Sequence, residues 1–547
     1  MAGSLTEGCH ACADYDISTK GREISRPPHG NLLFPAAVMA SSIRGFPKSA
    51  RDTELQAFAQ RIAPQSPGEG SAMIGGRHFW QSDYTAYHAE SHFTSLKMFS
   101  KRMTNNEICN NENLKADHTA DGALYTYQSG QEYRGIFPVW DWSREPPRYR
   151  CHLGCILLKM AAISLLTGIP GTTNRVGVLG TKVKQTGLTT FVGGLSTPNG
   201  SVAMSVMDYS SASFGGGDEG GVSAQKAWFF LPTGTVALAR NISGRAAPAS
   251  RISTTLEQSL RFNPGGDMGG GGAVSTGMAG GAATPVSVAN NSVPSGHWVH
   301  HDGRVYTPLT VPSSDDSTAG AEWLLEIGDR SGSWTEINAG LDNKTDGASL
   351  TLPVFLLEAS HGAAPAGADL AYAVLPGVGP ASAAGAAVTA FEAAAKVVAN
   401  TAAAQAVLAA PRAGEEVLMV AAWPSPTPTT VDGGKPGTKV TVTKPATGCL
   451  LTVTTTGAAT TFSASDPTNS GGTTVEFTVS RAPDSFPAVG SFACRRQVDK
   501  ALEELLSSDD HARSGSVTCS KGAAGTTTVT IALPSGVAAG STVSGGC

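Results

Sequence analysis

Two arginines, Arg22 and Arg26, stand four residues apart in GREISR. On a helix that spacing puts both guanidiniums on one face. Such a pair suits a carboxylate or a sulfate, because a planar guanidinium grips an oxyanion through two parallel hydrogen bonds. A solvated basic face or a pair of structural ion pairs would use the same spacing. A second polar group, Glu107, Asn110, Glu112 and Asn113, lies in NNEICNNENLK. A carboxylate there can orient an arginine, and an amide can hydrogen-bond a substrate carboxyl group. A polar turn has the same composition. His78, His88, His92, His118, His297, His300, His301 and His361 could each be a base, a ligand or a structural group, and structural roles are expected for all of them. His300-His301-Asp302 is tempting as a metal pair, but neighbours on a strand point to opposite faces, so the two imidazoles should diverge. No G-x-S-x-G, H-E-x-x-H, Walker A or dinucleotide fingerprint stands out.

The rest of the chain has to supply the elements that hold such groups. It has 547 residues, of which 65 are glycine and 32 proline, with 15% charged and 41% hydrophobic side chains. That much glycine and proline disfavours a mostly helical protein. It also stays below the ~25–30% that marks unpatterned low-complexity chains. The length is room for about three or four domains. A formal charge of −5 argues against a nucleic-acid partner, which needs a basic face. Nine cysteines, at 9, 12, 109, 151, 155, 449, 494, 519 and 547, include one CxxC, Cys9 to Cys12, with no second pair at zinc spacing. No metal or other cofactor is expected. Cys449, Cys494, Cys519 and Cys547 could pair in an oxidising compartment. The N-terminus shows no apolar signal-peptide core. Asn199, Asn241, Asn290 and Asn343 open N-x-S/T sequons. The longest apolar run, Leu153 to Ile169, is short of the ~20 residues a membrane span needs and carries Lys159. No membrane partner is expected.

Helical spacing appears within 31–62 and in RRQVDKALEELLSSDD (495–510). From Arg77 onward the texture changes. Runs such as KAWFFLPTGTVALARNI, HWVHHDGRVYTPLTV, EWLLEIGD and LTLPVFLLEAS are short, apolar and bounded by turn residues. They predict a large antiparallel β protein. An Ala-rich, helix-like stretch falls within 370–411, WPSPTPTTVDGGKPG (423–437) reads as a linker, and KVTVTKP and TTVEFTVS alternate as strands of a small β-sandwich.

Taken together, GREISR, RHFWQSDYTAYH, NNENLKADHTADGALYTYQSGQEYRGIFPVWDW and IPGTT resemble the polysaccharide lyases of family 8, the hyaluronate, chondroitin AC and xanthan lyases. ISTTLEQS, HWVHHDGRVY, SGSWTEIN, SHGAAPAGADLAYAVLPG, NTAAAQAV and VTVTKP extend the resemblance from about Asp16 to about Val479. It implies a mainly β fold: an antiparallel β-supersandwich, then a small C-terminal β-sandwich, with a short helical N-terminal remnant of an α/α toroid. The boundaries expected are 1–62 for the remnant, 63–368 for the supersandwich, 369–437 for its end and a linker, 438–485 for the small sandwich and 486–547 for a low-complexity tail. The resemblance also implies β-elimination on a uronic-acid polysaccharide. Neutralising the uronate carboxyl acidifies the C5 proton, and a Tyr and a His manage proton removal and leaving-group protonation. Arg22 and Arg26 match the family's active-site arginines, which hold substrate and favour an ionisable Tyr. Glu107 and Asn110 match its Glu and Asn, which orient those arginines and the substrate. Substrate binding is thus assigned to Arg22, Arg26 and Asn110. An acidic polysaccharide is the implied partner, a monomer the implied state and the extracellular space the implied location.

The chain departs from the family in three places. The family's catalytic Asn, His and Tyr lie well upstream of GREISR, and no motif among the first 20 or so residues matches them. As written the chain is expected to be inactive as a lyase, the alternative being a non-catalytic carbohydrate-binding or structural β protein. Ala116-Asp117 stands where the family usually reads Gly-Trp. Residues 146–167, PPRYRCHLGCILLKMAAISLLT, read as an insertion of the kind that retained intron sequence would leave.

Overall fold

A computed structural model describes, with short breaks, residues 74–140, 173–175, 186–210, 221–261 and 272–480. It also describes 4–5, 13–14, 495–498 and, with breaks, 516–533 and 543–546. The helical spacing at 31–62, the insertion at 146–167 and the N-terminal CxxC lie outside these residues.

The centre of the molecule is a nine-stranded antiparallel sheet, running from the edge strand Thr284–Val286 through Trp298–His301, Arg304–Pro308, Ala366–Leu375, Gly234–Ser243 and Ser223–Leu231 to Val192–Ser196. Both of its faces are covered. Along Ser223–Leu231, Ala224, Trp228 and Phe230 pack into one core, while Ala227, Phe229 and Leu231 pack into another. Side chains alternate across a strand, so burial on both faces produces the unbroken apolar run AWFFL.

The first core lies between this sheet and two smaller ones. Tyr87, Leu96 and Leu124 enter from a four-stranded sheet, Gly75–Phe79 through Ala123–Tyr127. Leu256, Trp323, Leu325, Phe355 and Leu357 enter from a five-stranded sheet that includes Ile252–Leu260, Glu322–Gly332 and Leu350–Ser360. The second core faces a seven-stranded sheet through Val407, Val417, Met419, Ala421 and Trp423, and takes in Val388 and Phe391 of the α-helix Ala384–Ala394. That helix is the Ala-rich stretch foreseen. The seven-stranded sheet turns its other face to a second five-stranded sheet across a third core that includes Leu418, Leu451, Phe477 and Ile531. The fold is therefore mainly β, in stacked antiparallel layers.

Three expectations change at the C-terminal end. The stretch read as a tail contributes strands. Thr526–Ala532 pairs with both Thr474–Ser480 and Ser516–Lys521, and Val543–Gly546 pairs with Ala459–Ser465. TTTVTIA alternates threonine with Val529 and Ile531, which are fully buried, and this period-2 pattern sits inside Thr/Gly-rich sequence. Arg495–Val498, the start of the segment read as helical, is a strand beside Val543–Gly546. The stretch read as a linker holds the strand Thr429–Asp432 at a sheet edge, where the prolines just before it remove no ladder hydrogen bond. Cys449 is a free, buried thiol whose pKa burial pushes up to about 12.

Candidate functional site

Arg22, Arg26, Glu107 and Asn110 lie outside the described residues. What the structure shows is how the chain on either side of 107–111 is held. Before it, Asn105 and Asn106 are buried, and Thr104 bridges to Thr186. After it, Asn113 is fully buried with φ +60, a left-handed conformation that asparagine tolerates better than most residues. The Leu114 amide then donates to the Ile337 carbonyl at 2.8 Å, and Lys115 pairs with Glu336 at 3.1 Å.

The turn 118–121 carries the next anchor. His118 Nδ1 lies 2.6 Å from Asp121 Oδ2, and the Tyr209 hydroxyl donates to the same oxygen at 2.9 Å. Lys226 donates to the Asp121 carbonyl at 3.2 Å and sits 4.7 Å from the centre of the Tyr209 ring. Lys226 is 2% exposed and faces the first core from the strand Ser223–Leu231. Burial drives its pKa down from 10.5 to about 7, against the pull of Asp121.

A third anchor follows the strand Ala123–Tyr127. Glu257, buried on the strand Ile252–Leu260, accepts from Tyr306 at 2.8 Å, Tyr133 at 3.1 Å and Arg304 at 3.2 Å through Oε2. Arg304, wholly buried, also donates to Ser259. Glu257 and its hydroxyl partners hold the Arg304 guanidinium charged, while burial raises the pKa of the Glu257 carboxyl. Buried Glu132 accepts from the Gln128 and Gly130 amides, and Gln128 Nε2 donates to the Asp302 carbonyl. Asp302 and Gly303, both at positive φ, form the tight turn that sends Arg304 back into the core.

Seven of the eight candidate histidines are engaged structurally, whereas His297 Nδ1 is buried with no hydrogen-bond partner among the described residues. His301 donates to the Leu260 carbonyl and stacks on Phe355, while His300 reaches the carbonyls of Val378 and Gly379. The two rings diverge as strand geometry requires. His361 contacts Thr254, and His78 contacts Thr85. Burial holds His78 and His301 near pKa 3 and His88, His92 and His361 near 4, so all five are neutral at pH 7. Among the described residues no group of three or more His, Cys, Asp or Glu could hold a metal ion. No helix among them is long and apolar enough to cross a membrane.

Sequence reasoning missed Asp121, Tyr209, Lys226, Glu257 and Arg304. The one signal available for Lys226 was its parity with Ala224, Trp228 and Phe230, which share its face of the strand and pack into the first core.

These stacked layers define a super-sandwich protein. The super-sandwich domain of polysaccharide lyase family 8 matches residues 74–146 and 161–387, more than half of the chain, and the chain belongs to that family. The break in the match falls within the stretch read as an insertion. A curated relative, chondroitinase-AC of Pedobacter heparinus, is 27% identical over 368 residues, which are 66% of this chain and 44% of the relative. A chondroitinase AC lyase solved with bound oligosaccharides superposes with a TM-score of 0.68 at 23% identity, over 98% of this chain and 62% of that one. A Paenibacillus xanthan lyase superposes with a TM-score of 0.68 at 20% identity, over 96% of this chain and 45% of that one. The chain thus spans less than two thirds of the length of each.

Proposed function

We propose that this chain is the super-sandwich side of an extracellular, monomeric, uronic-acid polysaccharide lyase. Its substrate is a chondroitin, hyaluronan or xanthan type of polymer. The observation that carries the reading is the family match across 74–387, together with the three anchors that fix the chain after 107–111. In this reading Arg22, Arg26 and Asn110 hold the uronate carboxyl, and Glu107 orients the arginines. Hydrogen bonds to the carboxyl stabilise the carbanion-like charge that builds up when the C5 proton leaves. The electron pair left at C5 forms the C4–C5 double bond, the C4–oxygen bond breaks, and the leaving oxygen takes a proton. No water is consumed. In the family the base and the acid are a Tyr and a His upstream of GREISR, where no motif of this sequence matches them, and groups that act as a unit lose most of their effect when members are missing.

The 547-residue chain alone should therefore bind acidic polysaccharide and not cleave it. The test combines affinity electrophoresis in gels cast with hyaluronan, chondroitin or xanthan with the absorbance of unsaturated uronate. Retardation that weakens about tenfold or more in Arg26→Ala, the loss expected for one charge-assisted hydrogen bond, supports the reading. Absence of retardation on all three polymers overturns the cleft. Sustained turnover by the chain alone overturns the need for outside groups.

A further inference from the structure

A groove of about 530 Å³ opens where the central sheet parts from the five-stranded sheet. One lip is the turn Pro294 to His297, closed by a hydrogen bond from the His297 amide to the Pro294 carbonyl, with Gly296 at φ +76. The other follows the strand Arg304–Pro308, where Leu309 is pinned by its amide to the Ala371 carbonyl. Pro294, Pro308 and Pro312 stiffen both lips, so little chain entropy is lost when a ligand enters. The floor is apolar, with Val293, Leu370 and Ala371 at the point where the first two cores reach the surface.

The groove's charge is one-sided. Among the described residues, Glu322 and Asp369 line it, and no lysine or arginine does. Asp369 sits opposite a β-bulge: the strand Gly234–Ser243 sets two residues, Arg240 and Asn241, against Asp369 alone. Bulges re-aim side chains next to sites. Arg240 pairs with Asp369 Oδ2, and Oδ1, itself buried beneath the groove, accepts no hydrogen bond from the described residues. The exposed Glu322 and the serines Ser292 and Ser295 add acceptors at the rim.

From this lining we infer that the groove is a second glycan subsite, taking one or two sugar units that carry hydroxyl or amine donors and no acidic group. A volume within the ~300–1,000 Å³ of small-molecule sites accommodates that. The exposed Glu322 carboxylate accepts hydrogen bonds and repels a uronate or a sulfate, the reverse of what the arginine pair does, while Arg240 already meets the charge of Asp369. The choice of a sugar among donor-rich ligands rests on the polysaccharide reading above, whereas the preference against anions comes from the groove itself.

Saturation-transfer NMR on the full chain tests this with chitobiose as the neutral probe, its de-N-acetylated form as the cationic probe and glucuronic acid as the acidic one. Transfer to the first or second and none to the third is expected. Ser295→Trp, which fills the groove from an exposed position, should abolish that transfer while leaving retardation in acidic-polysaccharide gels unchanged. Glu322→Lys should weaken the cationic probe more than the neutral one. Thermal unfolding of both variants verifies folding. No transfer to either donor probe, or transfer that survives Ser295→Trp, overturns the inference even where the gels support the lyase cleft. Transfer with unretarded gels overturns the cleft and leaves the groove standing.

Discussion

Replacing Lys226 by methionine should stabilise the protein below neutral pH and lose that advantage as the pH rises. The lysine is buried on the core face of the central sheet, and its pKa falls from 10.5 to about 7. At ~1.36 kcal/mol per pH unit that fall corresponds to about 5 kcal/mol of penalty for keeping the ammonium charged in the folded chain. The unfolded chain holds this proton up to about pH 10.5, while the folded chain releases it near 7. Between those values the unfolded state binds more protons, so stability climbs with pH. Below about 7 both states are charged and the penalty is fully present. Methionine keeps the length and apolar stem of the side chain but gives up the hydrogen bond to the Asp121 carbonyl and the contact with the Tyr209 ring. Those losses are worth about 1 kcal/mol each. The net expectation is a gain of about 3 kcal/mol at pH 6 and a loss of about 1–2 kcal/mol near pH 10.5. Urea unfolding of the wild type and Lys226→Met at pH 6, 8 and 10, followed by tryptophan fluorescence, measures the difference. Groups that do not interact with Lys226 cancel in that difference, and His361, which does, titrates near 4, below the range measured, so curves that stay parallel across the range would refute the reasoning.

Other substitutions test the third anchor and two further contacts. Asp83 is buried at positive φ and accepts from Arg102 at 2.7 Å and Ser100 at 2.6 Å, while Arg102 also reaches the carbonyls of Thr190, Val192 and Thr468. Asp83→Ala should cost about 3 kcal/mol in the urea midpoint, because it strands part of a buried pair. Arg304→Met alone should cost about 3–5 kcal/mol by leaving the Glu257 carboxylate unpaired. The double variant Arg304→Met, Glu257→Leu should recover much of that, a coupling that a double-mutant cycle reads directly. Gly332→Ala should destabilise the short turn Phe137–Val139, since the added methyl runs into the Pro138 carbonyl; loss of soluble expression or a lowered melting temperature would show it.

The layers were legible because burial leaves a periodic trace. Ser223–Leu231, buried on both faces, reads as an apolar run, and TTVEFTVS alternates because one face of its strand is apolar. Thr526–Ala532 leaves a similar trace, Val529 and Ile531 between threonines, but its setting in Thr/Gly-rich sequence hid it. Arg495–Val498 misled for another reason. Four residues of RRQV fit a strand edge and the first turn of a helix equally well, and only the partner strand Val543–Gly546, far along the chain, decides between them. The polar anchors were the least legible. Tyr209 meets Asp121 across 88 positions, and Lys226 meets it across 105, so no local spacing could announce them.

Those anchors share one task. The chain from 112 to 140 is tied down three times, at Leu114 and Lys115 to 336–337, at Asp121 to Tyr209 and Lys226, and at Gln128 to Tyr133 to Asp302, Glu257 and Arg304. Apolar residues of similar volume would bury as well, and often more stably, than a charged network. Apolar contact is not directional, however, and a segment held by it alone can slide by a residue or settle in several packings. A hydrogen bond tolerates a few tenths of an ångström, and a buried polar group without its partner costs about 1–3 kcal/mol. Three such ties leave the segment one register. A cleft that must place an amide against a sugar carboxyl, and a carboxylate against the arginines that hold it, needs positions held to about half an ångström. On the roles proposed for Glu107 and Asn110, buried charge in this half of the fold serves to hold the chain beside them, and a super-sandwich relieved of that duty could replace Lys226, Glu257 and Arg304 with apolar side chains and gain stability.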